Sequence, residues 1–357
     1  MPANFPARTF AALVAVAALA SAGTVASAQK PEALWYMTDN EASVQSFLAH
    51  ADQISIASPQ VFSMDSLGVI WGGVDARVVA KARSAGVKLI PLVVNPGFDQ
   101  SSIHRVLTLP DVRARAIRNL ADLCREQKFD GIQFDFENIN IADRDAFSSF
   151  ARASADALHH VGCSLSAAVV PRTSDFPGPT QFHRWIFENW RGAYDYAALA
   201  SSLDFISFMT YAQHTGGTTP GPVAGFVWME NALRFLLSLG VPAQKISLGI
   251  PSYSDWWYPT FDVRPGVGER MVGGDISYAT ARGILARHAV QPIWDERQKS
   301  SYAFWEDDGV NEFLFLEDAR SFVAKMSLVS KYKLRGYSVW VLGTEDPATW
   351  SALGGAR

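Results

Sequence analysis

Apolar runs of strand length alternate along this chain with stretches whose apolar residues recur at helical spacing. Ala33-Leu34-Trp35-Tyr36-Met37 predicts a first strand, and residues 42–51 follow as a helix. Gln53-Ile54-Ser55-Ile56-Ala57 predicts a second strand, leading into a loop with Ser58-Pro59-Gln60 and Val69-Ile70-Trp71-Gly72-Gly73. Asp75 caps the next helix and Gly86 stops it. Residues 87–94 are nearly all apolar, the mark of a strand covered on both faces. A helix from Asp111, with Val112, Ile117, Leu120 and Leu123 on one stripe, leads to a fourth strand within residues 129–138. Helices at 143–161, in part of 185–201 and at 228–239 then alternate with strands at 164–171, 205–211 and 245–251, and residues 334–342 supply an eighth strand.

A strand followed by a helix, repeated this often, argues for a parallel sheet with helical crossovers. Eight such strands predict an α/β protein of the (β/α)8 TIM-barrel type, and no Gly-rich phosphate fingerprint follows the first strand. Residues 252–330 are too many for one crossover. They predict helices at 278–288 and 317–330 and a hairpin of 301–305 with 311–315 across Asp308-Gly309. The expected organisation is a leader over 1–28, a barrel from 29–251 and 331–357, and a small α+β insertion, 252–330, between the seventh and eighth strands.

Charge and composition narrow the partners. With a formal net charge of −4 and no long basic run, nothing calls for nucleic acid or an anionic membrane surface, so the expected ligand is neutral. Arg8, the apolar run Ala11 to Ala20 and Ala26-Ser27-Ala28 ahead of Gln29 have the form of a cleavable signal peptide. Its removal would leave no membrane anchor and a periplasmic or secreted protein, expected to act as a monomer. Cys124 and Cys163 are compatible with a disulfide or with two buried thiols. Neither has metal-ligand spacing, and no metal or cofactor is expected.

The chemistry concentrates in the fourth strand, where Gln133, Asp135 and Glu137 alternate with Ile132, Phe134 and Phe136 and so share one face. A regular strand places Asp135 and Glu137 about 7 Å apart with parallel side chains, and two like charges on one face push one pKa up. Barrel enzymes work at the C-terminal ends of their strands. Those ends here carry Tyr211, Gln213 and His214 on the sixth strand, Tyr253, Asp255, Trp256 and Trp257 on the seventh, and Trp340 on the eighth. Carboxyls flanked by Tyr and Trp suit a sugar, whose ring faces stack on aromatics while an acid protonates the glycosidic oxygen.

Asp130-Gly131-Ile132-Gln133-Phe134-Asp135-Phe136-Glu137 resembles the catalytic signature of glycoside hydrolase family 18. Met209-Thr210-Tyr211 and Tyr337-Ser338-Val339-Trp340 resemble its sixth and eighth strands. The segments at 220–224, 245–251 and 340–347 are similar to N-acetylglucosaminidases related to spore-cortex-lytic enzymes. This resemblance implies substrate-assisted, retaining hydrolysis of a β-linked N-acetylglucosaminyl bond in an N-acetylglucosamine-containing oligo- or polysaccharide. It implies Glu137 as the acid, Asp135 orienting the substrate's acetamide, Tyr211 bonding it and Trp340 as the floor of the central subsite. Gln133, Gln213, Tyr253 and Trp256 are expected substrate-binding residues from their places at the strand ends, with Trp257 the alternative to Trp256 and Gln133 a support for Asp135. Gln133 stands where the common chitinase form has Asp, and Ala212 stands where an Asp usually follows the tyrosine. That second departure keeps open a non-catalytic, lectin-like protein on the same barrel.

Overall fold

The computed structural model describes residues 30–262 and 268–354, together with residues 1 and 3. The leader expected over 1–28 otherwise lies outside the described residues.

Eight parallel strands form the centre of the fold. They are β1 (Glu32–Met37), β2 (Ile56–Met64), β3 (Leu92–Val94, preceded by the short Lys88–Leu89), β4 (Gly131–Asp135), β5 (Ser164–Val169), β6 (Phe205–Phe208), β7 (Ile246–Pro251) and β8 (Gly336–Trp340). Each pairs in parallel with the next, and β8 pairs back onto β1, so the sheet closes into a (β/α)8 barrel. Alternation along β4 sends Ile132 and Phe134 outward, where Phe134 stacks at 5.6 Å on Phe150 of the following helix, Arg144–His160. Gln133 and Asp135 point into the barrel. There Leu34, Tyr36, Ile56, Ile90, Leu92 and Phe205 form an apolar plug beneath the rim.

The helices start and stop where their capping residues put them. Asp75 accepts from the Arg77 N–H, and Gly86 ends that helix in the left-handed region at φ 69°. The helix expected from Asp111 begins one residue earlier, because Pro110 occupies its first turn, where a missing N–H costs nothing. Cys124 at its end is disulfide-bonded to Cys163, just before β5, with Cα atoms 6.5 Å apart.

Two regions differ from the sequence reading. Ser58-Pro59-Gln60 is not loop but part of β2: Pro59 lies opposite Met37, and the register then slips at a bulge between Gln60 and Phe62. Residues 254–316 form a five-stranded antiparallel sheet in the order Gly268–Ile276, Ser254–Asp262, Val310–Leu316, Ser300–Asp307, Ile293–Asp295. Of these, only the middle hairpin follows from the sequence pattern. Its Asp308 and Gly309 both have positive φ, 48° and 78°, as a two-residue hairpin turn requires. The sheet buries Ala303, Trp305, Leu314 and Leu316 against Ala281, Ile284 and Leu285 of the helix Tyr278–Arg287. At its base Glu317 and Lys325 form an ion pair with side chains 2% and 0% exposed.

Candidate active site

β4 ends at Asp135, and the residues after it are held from outside the strand. Asn95 receives the Glu137 backbone N–H at 3.0 Å and donates to the Glu137 carbonyl, also at 3.0 Å. The buried Tyr194 hydroxyl donates to the Phe136 carbonyl at 2.7 Å. Asn138 then takes a positive φ of 53°, a conformation in which Asn is favoured among non-glycine residues. Glu137 is therefore placed by three backbone hydrogen bonds and the turn at Asn138 rather than by ladder bonds.

The two carboxyls meet instead of standing apart as on a regular strand. Asp135 Oδ2 accepts from Gln60 Nε2 at 3.0 Å, while its Oδ1 is buried and receives no hydrogen bond; the Asp135 and Glu137 carboxyls lie within hydrogen-bonding reach of each other. Burial pushes both carboxyls up. Asp135, held down in part by Gln60 and by Glu137 itself, rises to about 6. Glu137 rises further, because the Asp135 charge adds to the burial. Burial and the neighbouring charge thus make Glu137 the member of the pair that favours its proton and Asp135 the more acidic one.

Gln133 does not take part in this contact. Its oxygen accepts from the Tyr36 hydroxyl at 2.7 Å, and its amide donates to Ser166 at 2.9 Å and Ser207 at 3.3 Å. It is fully buried, so it cannot touch sugar; the expected contact is corrected to a bracing role under the site. Gln213 is likewise used internally, accepting the Gly225 N–H at 2.8 Å just before the helix Phe226–Ser238. Trp256 donates to Glu312 at 2.8 Å and stacks on Tyr258, while Trp257 is buried against Phe315. Neither tryptophan lines the cleft beside Glu137.

Glu137 stands between two cavities. One, of about 360 Å³, is lined by Tyr36, Asp135, Tyr211, Tyr253, Asp275 and Trp340. The other, of about 430 Å³, is an apolar groove with Val170, Phe182, Trp185, Trp190 and Trp228 along it. Tyr211 and Ala212 belong to both walls. The Tyr211 phenol is almost fully buried and stays neutral, its pKa raised first by burial and then by Tyr36 and Asp135. Five of the residues expected from the sequence thus converge: Asp135, Glu137, Tyr211, Tyr253 and Trp340. Gln60, Asn95, Tyr194, Asp275 and the aromatic groove do not stand out in the sequence. Asn95 precedes Pro96-Gly97 and reads as a turn, and Asp275 follows Gly273-Gly274 and reads as a loop.

The model of the glycosyl hydrolases family 18 matches residues 34–345. The cortical fragment-lytic enzyme of Bacillus subtilis is 30% identical over 267 residues, which cover 74% of this chain and 58% of that protein. This chain spans 54% of a second Bacillus subtilis relative, a glycosylase that is also 30% identical. Among solved structures, a chitinase from Chromobacterium violaceum superposes with a TM-score of 0.79 at 27% identity, covering 91% of this chain and 98% of that one. The spore cortex-lytic enzyme SleL of Bacillus megaterium gives 0.78 at 25% identity, over 91% and 73% of the two chains. The matched span runs from β1 past β8 and takes in the whole proton-sharing strand end, so the chain belongs to glycosyl hydrolases family 18.

Proposed function

We propose that this protein hydrolyses β-linked N-acetylglucosaminyl bonds in a glycan of the peptidoglycan or chitin-like class, by a substrate-assisted, retaining route. The observation that carries this reading is the pair of carboxyls at the end of β4, within hydrogen-bonding reach of each other and standing between two cavities. Glu137 protonates the leaving glycosidic oxygen. The substrate's own acetamide oxygen attacks the anomeric carbon as that bond breaks, and the ionised Asp135 accepts the amide N–H and balances the charge of the oxazolinium ring. Its Oδ1, buried and receiving no hydrogen bond, is the acceptor that such an amide would fill. Water then opens the ring, giving its proton to Glu137. Tyr211 donates from its neutral hydroxyl to the acetamide, and Trp340 supplies an apolar wall beneath the sugar.

Chitinases and cortex-lytic enzymes among the relatives favour N-acetylglucosamine on the side of the cleft that holds Asp135. Export to the periplasm or beyond the cell, where such polymers lie, accords with the leader expected at the N-terminus. The test is hydrolysis of 4-nitrophenyl N-acetylglucosaminides and purified peptidoglycan in the presence of a thiazoline analogue of the oxazolinium intermediate. Cleavage abolished by the analogue is expected. Sugar binding with no cleavage of any of these substrates would establish the lectin-like alternative, and cleavage undisturbed by saturating analogue would overturn substrate assistance.

A further inference from the structure

The cavity that holds Asp135 has a third carboxyl on its wall, and it comes from the inserted sheet. Asp275 lies on Gly268–Ile276, directly opposite Asp255 on Ser254–Asp262. Asp255 is 4% exposed and stands behind, while Asp275 is open to the cleft. The two carboxyls are within hydrogen-bonding reach of each other. The loop that follows β6 rests on the same strand: a side-chain carbon added at Gly216 would fall 2.9 Å from the Gly273 carbonyl, two residues from Asp275. The Tyr253 hydroxyl closes the gap, lying within hydrogen-bonding reach of the Ala212 backbone N–H and close enough to Asp275 to feel its charge. Ala212, Tyr253 and Asp275 therefore form one continuous piece of the wall of the cavity that Asp135 also lines.

Ala212 itself has a left-handed backbone, φ 51°, which Asp and Asn adopt more readily than Ala. The main chain there has the shape suited to a short polar side chain, yet the residue carries none. A sugar in this cavity exposes hydroxyls that need partners once water is excluded.

We propose that Asp275 is the carboxyl that binds the reacting N-acetylhexosamine in place of the one Ala212 lacks, so that the inserted sheet contributes a substrate-binding residue. The inference rests on the glycosidase reading for the identity of the sugar. Backed by Asp255, Asp275 can accept from one sugar hydroxyl, and a proton shared between the two acids lets the pair donate to another.

The experiment measures kcat/KM on 4-nitrophenyl N,N′-diacetylchitobioside, and calorimetric affinity for triacetylchitotriose, with the wild type, Asp275→Ala, Ala212→Asp and the double variant. Asp275→Ala is expected to lower kcat/KM about ten- to a hundredfold, the loss of one hydrogen bond to a charged group, in a protein that remains folded at the assay temperature. Ala212→Asp should recover most of that loss in the Asp275→Ala background and add less than about twofold to the wild type. A kcat/KM for Asp275→Ala within about twofold of wild type, or an equal gain from Ala212→Asp in both backgrounds, would overturn the proposal. A wild type that cleaves nothing would overturn the glycosidase reading alone. The four affinities would then decide the role of Asp275, with a change below about twofold on Asp275→Ala ruling it out.

Discussion

Two pairs of acids stand at this cleft, and they are made in opposite ways. Asp135 and Glu137 come from one chain segment, two residues apart, and meet only because β4 stops at Asp135 and Asn95 holds the turn beyond it. Asp255 and Asp275 come from neighbouring antiparallel strands and meet because the ladder sets them opposite each other. The first pair is braced by amides, with Gln60 on Asp135, and sits at the barrel rim. The second is backed by a further buried acid, Glu317, whose cation is Lys325. Like charges directly across a ladder destabilise it unless a proton is shared. In the proposed mechanism the barrel pair uses its proton for chemistry, whereas the sheet pair needs one to relieve the repulsion across the ladder.

Replacing the proton carrier should separate the two pairs most sharply. Glu137→Gln is expected to lower kcat by about 10²–10⁴, the usual contribution of a general acid, and to leave the fold intact. A drop as small as that predicted for Asp275→Ala would erase the distinction. Next in size, Lys325→Met strips the buried Glu317 of its cation and should cost about 3–5 kcal/mol in denaturant unfolding, because an uncompensated charge remains. A cost below about 1 kcal/mol would show that the sheet pair does not depend on that neighbour.

The pH dependence distinguishes the pairs again. The proposed mechanism needs Asp135 ionised and Glu137 protonated, so kcat/KM should fall about tenfold per pH unit below about 6, where Asp135 gains a proton, and fall on the alkaline side when Glu137 loses its own. In Asp135→Asn the acid limb should disappear. For the sheet pair the readout is stability. Burial and Asp275 push Asp255 up to about 9, so the folded state binds a proton that the unfolded state releases above the ordinary carboxyl range. Stability from this group is therefore complete in acid and lost progressively as pH rises towards 9. Asp255→Asn, which keeps a donor for Asp275, should raise the melting temperature at pH 8 by a few degrees and leave it unchanged at pH 4. An equal shift at both values would remove the titration argument. Asn95→Ala is expected to cost about 1–3 kcal/mol of stability for two lost backbone bonds, with a fall in kcat as Glu137 loosens.

The barrel was readable because its strands are buried on both sides and each is followed by a helix of clear period, so residues such as Val87 to Val94 leave no other interpretation. Glu137 and Asp135 were readable because carboxyls between phenylalanines are out of place in an ordinary core. What stays hidden is what the sequence renders as loop. Gly273 reads as a break, yet its missing side chain is the space that Trp257 fills, since a carbon added there would fall 2.5 Å from Trp257 Nε1. Pro59 likewise suggests a turn, although β2 continues through it and delivers Gln60 to Asp135. Gln133 and Gln213 show the converse: polar residues in the right register whose bonding capacity the fold consumes before any ligand arrives.

The disulfide between Cys124 and Cys163 gives β4 a distinct topological status. The segment it closes contains β4, Glu137 and the helix Arg144–His160, so the catalytic strand lies inside a covalent ring that no other barrel strand enters. A single backbone cut within that ring would leave the two fragments joined. Such a nicked molecule would migrate as one chain under denaturing conditions until it is reduced, and only then as two fragments.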